Sequence, residues 1–263
     1  MNILDVWNSP KRMMLFRICV IFLLLTFVIG DSSASAANNR EQDQNDLDAA
    51  FDALRKKDFE KTVSKATEII DRFSDGKETD TSYRCTSGQS DTLETLIKAA
   101  ALSLEAGDDG DQSTRKNKTV AVSKTICSAH FVRAFALIDL SRRDEALPGL
   151  EIAVEMDPDN QHYINELGEW YKAKRDWRKS LEIFTKASQT RDFSILSMKD
   201  KDTSAGIMNK RQCRSYRGIA FNHVEMGNWD EARSAVEKCL KLIPNEPKSQ
   251  KELEYIDTQS AKE

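Results

Sequence analysis

Scarcity bounds this chain first. Its 263 residues include only 10 Gly and 5 Pro, too few breakers for a loop-rich or fibrous protein. With 40% hydrophobic and 31% charged residues it reads as a helix-rich chain able to bury a core. Only three histidines occur, His130, His162 and His223. His162 and Glu166 have the spacing that sets two ligands on one helical face, but no third ligand follows, so no metal site is expected. There is no glycine-rich phosphate loop, no strand-turn-helix nucleophile elbow and no Cys-x-x-Cys pair, and the acids are spread over solvated helix faces. No catalytic residue and no cofactor are expected, and the chain reads as a non-enzyme. A dominant charge is lacking too. The net charge is −4, with acids and bases intermixed, so neither a nucleic-acid tract nor an acidic tail is present.

Long apolar runs are confined to one place. Lys11, Arg12 and Arg17 precede an apolar stretch from Ile18 to Ile29, and Ser33-Ala34-Ser35-Ala36-Ala37 follows. That is the layout of a secretory signal peptide over residues 1–37, cut after Ala36 or Ala37. The stretch is short against the ~20 residues a membrane-spanning helix needs. Retention as a membrane anchor is the alternative; contact with a membrane is otherwise expected only through this leader before cleavage. The expected location is exported, periplasmic or secreted.

Internal repetition decides the fold. A 34-residue skeleton of small residues at the eighth, twentieth and twenty-seventh places, with larger apolar residues between, is laid down three times within residues 127–246. It reads Ala134, Leu137, Ala146, Leu150, Ala153 and Pro158; then Ile164, Leu167, Gly168, Tyr171, Ser180, Phe184 and Ala187; then Tyr216, Ile219, Ala220, Ala232, Val236, Cys239 and Pro244. Small residues at the eighth and twentieth places let two antiparallel helices cross closely, and Pro after the second helix turns the chain onward. Asp176-Trp177 and Asn228-Trp229 supply helix starts.

This skeleton resembles the tetratricopeptide-repeat family. The resemblance implies an all-α, right-handed solenoid of antiparallel helix hairpins that works by binding another protein. Residues 38–126 would hold degenerate hairpins, with a weak copy at 43–76 (Ala49, Ala50, Phe59, Thr62, Ile69) and a helix over 91–106. Gly107 to Lys118 reads as an exposed loop, with a glycosylation-type sequon at Asn117-Lys118-Thr119. Residues 194–211 would be an insertion, either ordered on the surface or a mobile loop, and residues 247–263 a final helix and tail.

In the family's register the concave surface is built from first helices. The candidate partner-binding groove is therefore Phe131, Phe135, Asn165, Glu169, Lys172, Arg214, Arg217 and Phe221. On one reading the aromatics anchor apolar side chains of a partner while Lys172, Arg214 and Arg217 meet its carboxylates. On the other, Phe131 and Phe135 pack against the N-terminal hairpins and the bases are merely solvated. A carboxylate clamp of the kind some family members use is not expected, because its places hold Phe131, Phe135, Glu166, Arg214 and Gly218. The same register puts Cys213 and Cys239 at one level on facing helices, so a disulfide is expected there in an oxidising compartment. By elimination Cys85 would pair with Cys127, each read as near the start of a first helix. Two functions follow: a binding scaffold for a protein or peptide partner, or an accessory subunit docked on an enzyme that carries the activity.

Overall fold

The structure, a computed structural model, describes residues 39–78, 81–86, 92–93, 97, 118–190 and 200–261. Among them nine helices and two strands are described from end to end. Helix α1 covers residues 39–55 and α2 Phe59–Asp75; β1 is Thr81–Thr86 and β2 Lys118–Ser123; then come α3 Lys124–Asp139, α4 Arg143–Met156, α5 Gln161–Ala173, α6 Trp177–Gln189, α7 Lys201–Glu225, α8 Trp229–Leu242 and α9 Pro247–Ser260. The fold is a tetratricopeptide-type stack of helix hairpins: α1–α2, α3–α4, α5–α6 and α7–α8, closed by α9. Residues 1–37, read as a leader, lie outside the described residues.

The close crossings fall where the small residues are. Ala134, Ala146, Ser180, Ala220 and Ala232 are buried, as is Gly168, and Ser180 Oγ donates to the carbonyl of Gly168 at 3.0 Å. The weak copy at 43–76 makes the same crossing, with Ala50 and Thr62 fully buried and Thr62 Oγ1 donating to Ala50 O at 3.4 Å. Here α1 and α2 are further joined by charge: the buried Asp46 accepts from Arg72 at 2.7 Å and Lys65 at 3.2 Å.

Side-chain caps start most helices. Asp58, Ser123, Asn160, Asp176, Asp200 and Glu246 each accept from a backbone N–H of the first turn. Asn228 stands at the N-cap of α8 but makes no such bond; its amide lies 3.4 Å from His223 Nδ1 instead.

One expectation needs correction and another gains detail. The first is that everything outside the leader is helix or loop: β1 and β2 pair in parallel, Thr81 with Lys118 through Thr86 with Ser123. Both strands, TSYRCT and KTVAVS, carry β-branched and aromatic residues, and β1 alternates buried and half-buried positions. Cys85 thus sits on a strand, and Lys118, read as the end of a loop, begins β2. Residues 107–117 lie outside the described residues. The second point concerns 194–211: its described part is ordered, residues 201–211 forming the first turns of α7, which runs 25 residues from its Asp200 cap and so begins ahead of the third repeat. Of the helix expected over 91–106, the described Thr92, Leu93 and Ile97 are helical, with Leu93 and Ile97 exposed.

The core is continuous from α1 to α6, and a smaller one joins Ala220, Ala232, Ala235, Val236 and Ile256 in α7–α9. Phe184 of α6 plugs the space between them. Its ring lies against two glycines, so a Cβ on Gly168 would come within 3.0 Å of it and one on Gly218 within 2.5 Å. The fully buried ring thus ties α5, α6 and α7 into one joint.

Candidate partner-binding face

The first helices α3, α5 and α7 and the closing α9 contribute side chains to one another's surfaces in sequence. At the α3–α5 contact Phe131 stacks on Tyr163 with ring centroids 4.7 Å apart and lies 4.9 Å from His162. Phe131 is buried there and Phe135 is half-buried, 6.3 Å from it. Phe131 is therefore part of the joint between hairpins, while Phe135 keeps an accessible edge. The packing partner is the following hairpin rather than the N-terminal ones alone.

Asn165 is fully buried and does not face a groove. It donates to Arg211 O at 3.2 Å and accepts from Ser215 Oγ at 2.8 Å, which fixes α5 against α7. Its position in the register pointed outward; the interhelix polar network draws it in.

The bases are not solvated singly. Arg214 Nη1 donates to Glu166 at 2.5 Å, and its Nε lies 3.8 Å from Glu169. Burial works against the Arg214 charge, but those two carboxylates outweigh it and raise its pKa above the usual value. Lys172 pairs with Glu169 at 2.5 Å and stands 4.9 Å above the Phe221 ring, which in turn makes an edge contact with Trp177 at 5.8 Å. Arg217 pairs with Glu246 at 3.2 Å. Each of the three cations expected to meet partner carboxylates is thus already matched within the chain.

Glu252 of α9 completes this end. Burial pushes its carboxyl up to about 7, against the pull of Arg217 and Lys172 and with Glu246 adding to the rise. Such a group changes charge near neutrality, a feature that sequence spacing does not announce, because it arises from how α9 packs.

Cysteine placement follows the register at one pair. Cys213 and Cys239 are fully buried on α7 and α8 with Cα atoms 4.4 Å apart and their sulfurs at bonding distance. Around them Ser249 Oγ lies 2.8 Å from Cys239 Sγ, and Ser249 N donates to Glu246 at 2.6 Å. Cys213, Cys239 and Glu246 also form the one convergence of three potential metal ligands among the described residues. The two sulfurs face each other and Glu246 is engaged by Arg217 and Ser249. Cys85 and Cys127 are likewise at bonding distance, with Cα atoms 6.3 Å apart, and link β1 to α3.

No protein-family profile matches the chain, and no curated protein is similar to it in sequence. Among solved structures it resembles pilF of Pseudomonas aeruginosa, with a TM-score of 0.54 at 12% identity over 86% of this chain and 72% of that one. MamA MSR-1 aligns with a TM-score of 0.47 at 13% identity, over 85% of this chain and 87% of that one. A Podosopora anserina putative kinesin light chain with nearly identical TPR-like repeats aligns with a TM-score of 0.45 at 10% identity, over 83% and 95%. The likeness to pilF is one of fold. The tetratricopeptide-type solenoid read from the repeats is the architecture present, a class of fold suited to binding other proteins.

Proposed function

We propose that the protein is a non-catalytic scaffold of an exported compartment that holds a protein or peptide segment along the face formed by its first helices. The observation that carries this reading is the composition of that face. Half-buried Phe135 stands at one end, half-buried Phe221 under Lys172 at the other, and the matched ion pairs of Glu166, Glu169, Arg214 and Arg217 lie between. Aromatic anchors flanked by fixed charges are how a groove combines affinity with orientation. Export is supported by the leader-like layout of residues 1–37 and by two cysteine pairs at bonding distance, which suit an oxidising compartment. No helix among the described residues is long and apolar enough to cross a membrane.

The test is photo-crosslinking from single positions in the native compartment, at Phe135 and Phe221 and at the exposed Glu151 and Glu182 as controls. Adducts to a common partner from the first two alone support the groove. Adducts from the controls alone, or equally from all four, overturn it. An enzyme as the common adduct would assign the chain as that enzyme's accessory subunit.

A further inference from the structure

The turns inside the hairpins carry a second surface, which meets the first-helix face where Trp177 contacts Phe221. Successive turns are physically adjacent. Glu60, just after the first turn, lies 3.7 Å from Arg142 in the second, and Asp144 of the second pairs with Lys174 of the third. Trp170 Nε1 also donates to Arg143 O at 2.8 Å. Three turns therefore form one continuous edge.

That edge is basic in a chain whose net charge is −4. Lys56, Lys57 and Lys61, then Arg143, then Arg175 and Arg178 are all exposed, and none is among the ion pairs of the described residues. The carboxylates beside them are largely occupied. Asp58 and Asp176 cap α2 and α6, Asp52 holds Arg55, Glu145 holds Arg142, Asp144 holds Lys174 and Glu182 holds Lys179. Asp139 is the one exposed acid at these turns without such a role. The fourth turn is the opposite: Glu225, Asp230 and Glu231 flank Gly227 and no base is present from 225 to 231.

Backbone conformation singles out two of these cations. The equivalent place in each turn is left-handed: φ is 60° at Lys57, 63° at Ser141, 60° at Arg175 and 75° at Gly227. Glycine is the relaxed residue there, and the fourth turn uses it. Placing Lys57 and Arg175 in that conformation costs stability and sets two positive charges at the apex of the edge. Three of the four turns forgo glycine, and at two of those three the residue placed there is a cation, which is the kind of local exception a functional surface leaves behind.

We propose that this edge docks an acidic segment of a partner protein. Charge complementarity selects an anionic partner. The large exposed apolar side chains of the described residues, Leu93, Ile97 and Tyr255, are on none of the three turns, so the edge has nothing to insert into an acyl layer and a protein is favoured over a lipid surface.

The test compares the protein with its Lys57→Gly/Arg175→Gly variant, using a fluorescent decaglutamate peptide and, separately, phosphatidylserine vesicles. The variant is expected to melt at a higher temperature, since both turns relax, while binding decaglutamate about fivefold to tenfold more weakly. Binding by the unaltered protein should fall with added salt. Absence of decaglutamate binding at low salt, equal binding by the variant, or binding to vesicles alone would overturn the proposal. So would a lower melting temperature, because the strained cations would then have a purely structural role.

Discussion

The first and third repeats put a cysteine at the same place, the first position of the hairpin, and use it in opposite ways. Cys213 turns inward to Cys239 of its own second helix, whereas Cys127 turns outward to Cys85 on β1. The middle repeat has Gln161 there, and its amide donates to Ala187 O at 2.8 Å, across the same gap that Cys239 closes in the third. One register position thus serves as an internal staple, a hydrogen bond, or a bolt for an inserted strand pair. The N-terminal half is held by a broad core plus that bolt; the C-terminal half has a small core of mostly alanines and relies on the staple and on α9.

If the halves are joined chiefly through Phe184, removing it separates them. Phe184→Ala is expected to cost about 4 kcal/mol, within the range for a fully buried aromatic. Urea unfolding should then split into two transitions, with the C-terminal one first. A single transition shifted as a whole would mean that the Asn165–Ser215 and Arg214–Glu166 contacts suffice to couple the halves.

The two cysteine pairs sharpen the same contrast. They span 42 and 26 residues of sequence. On a chain-entropy basis these closures stabilise by about 4 and about 3.5 kcal/mol, nearly the same. Their local effects should differ. Cys239→Ser is expected to speed amide exchange through α8 and α9, while Cys85→Ser should release β1 and β2 and leave the hairpins protected. Exchange mapped by mass spectrometry distinguishes these outcomes from a uniform loosening.

Legibility in sequence followed the same divide. Hairpin crossings at Ala134, Gly168 and Ala220 and the level of Cys213 with Cys239 were readable because a repeat fixes relative height along paired helices. Asn165 and Phe131 stand at groove positions of the register yet are buried, because register sets only direction; whether a side chain reaches water depends on how closely the next helix approaches. The strand pair is not legible, for a different reason. Two six-residue segments far apart in sequence become a sheet only when they meet, and neither is long enough to declare itself. That residues 201–211 are helical is not legible either, because the third repeat begins at Cys213 and its spacing says nothing of the turns that precede it.

Protons should act on the two halves in opposite directions, weakening the one that holds His130 and strengthening the one that holds Glu252. Burial, with Lys77 and Arg133 adding, depresses His130 to about 4 from an ordinary value of 6.5. Its contribution is complete above pH 6.5 and is lost as the pH falls towards 4, up to about 3 kcal/mol, because the unfolded chain takes the proton and the folded one resists it. Glu252, raised to about 7 from 4.5, does the reverse: its contribution is complete below 4.5 and is lost as the pH rises through 7. Between pH 5 and 7.5, α3 should gain exchange protection and α9 lose it. His130→Gln should abolish the first trend alone and Glu252→Gln the second alone.

The smallest expected effects lie in the turns, where the halves can be compared by a single atom group. Ser141 and Gly227 occupy equivalent left-handed positions, with φ of 63° and 75°. A β-carbon in that conformation crowds the following carbonyl, at about 1 kcal/mol per residue. Ser141→Gly should therefore stabilise the second turn by somewhat under that amount, since glycine also gains freedom in the unfolded chain. Gly227→Ala should destabilise the fourth turn by about 1 kcal/mol, and no atom within 4 Å of the added carbon would contribute a clash. Opposite shifts in urea midpoint, with unchanged slope, are the expected pair of results. Shifts of the same sign would show that side-chain contacts, not backbone conformation, set the energy of these turns.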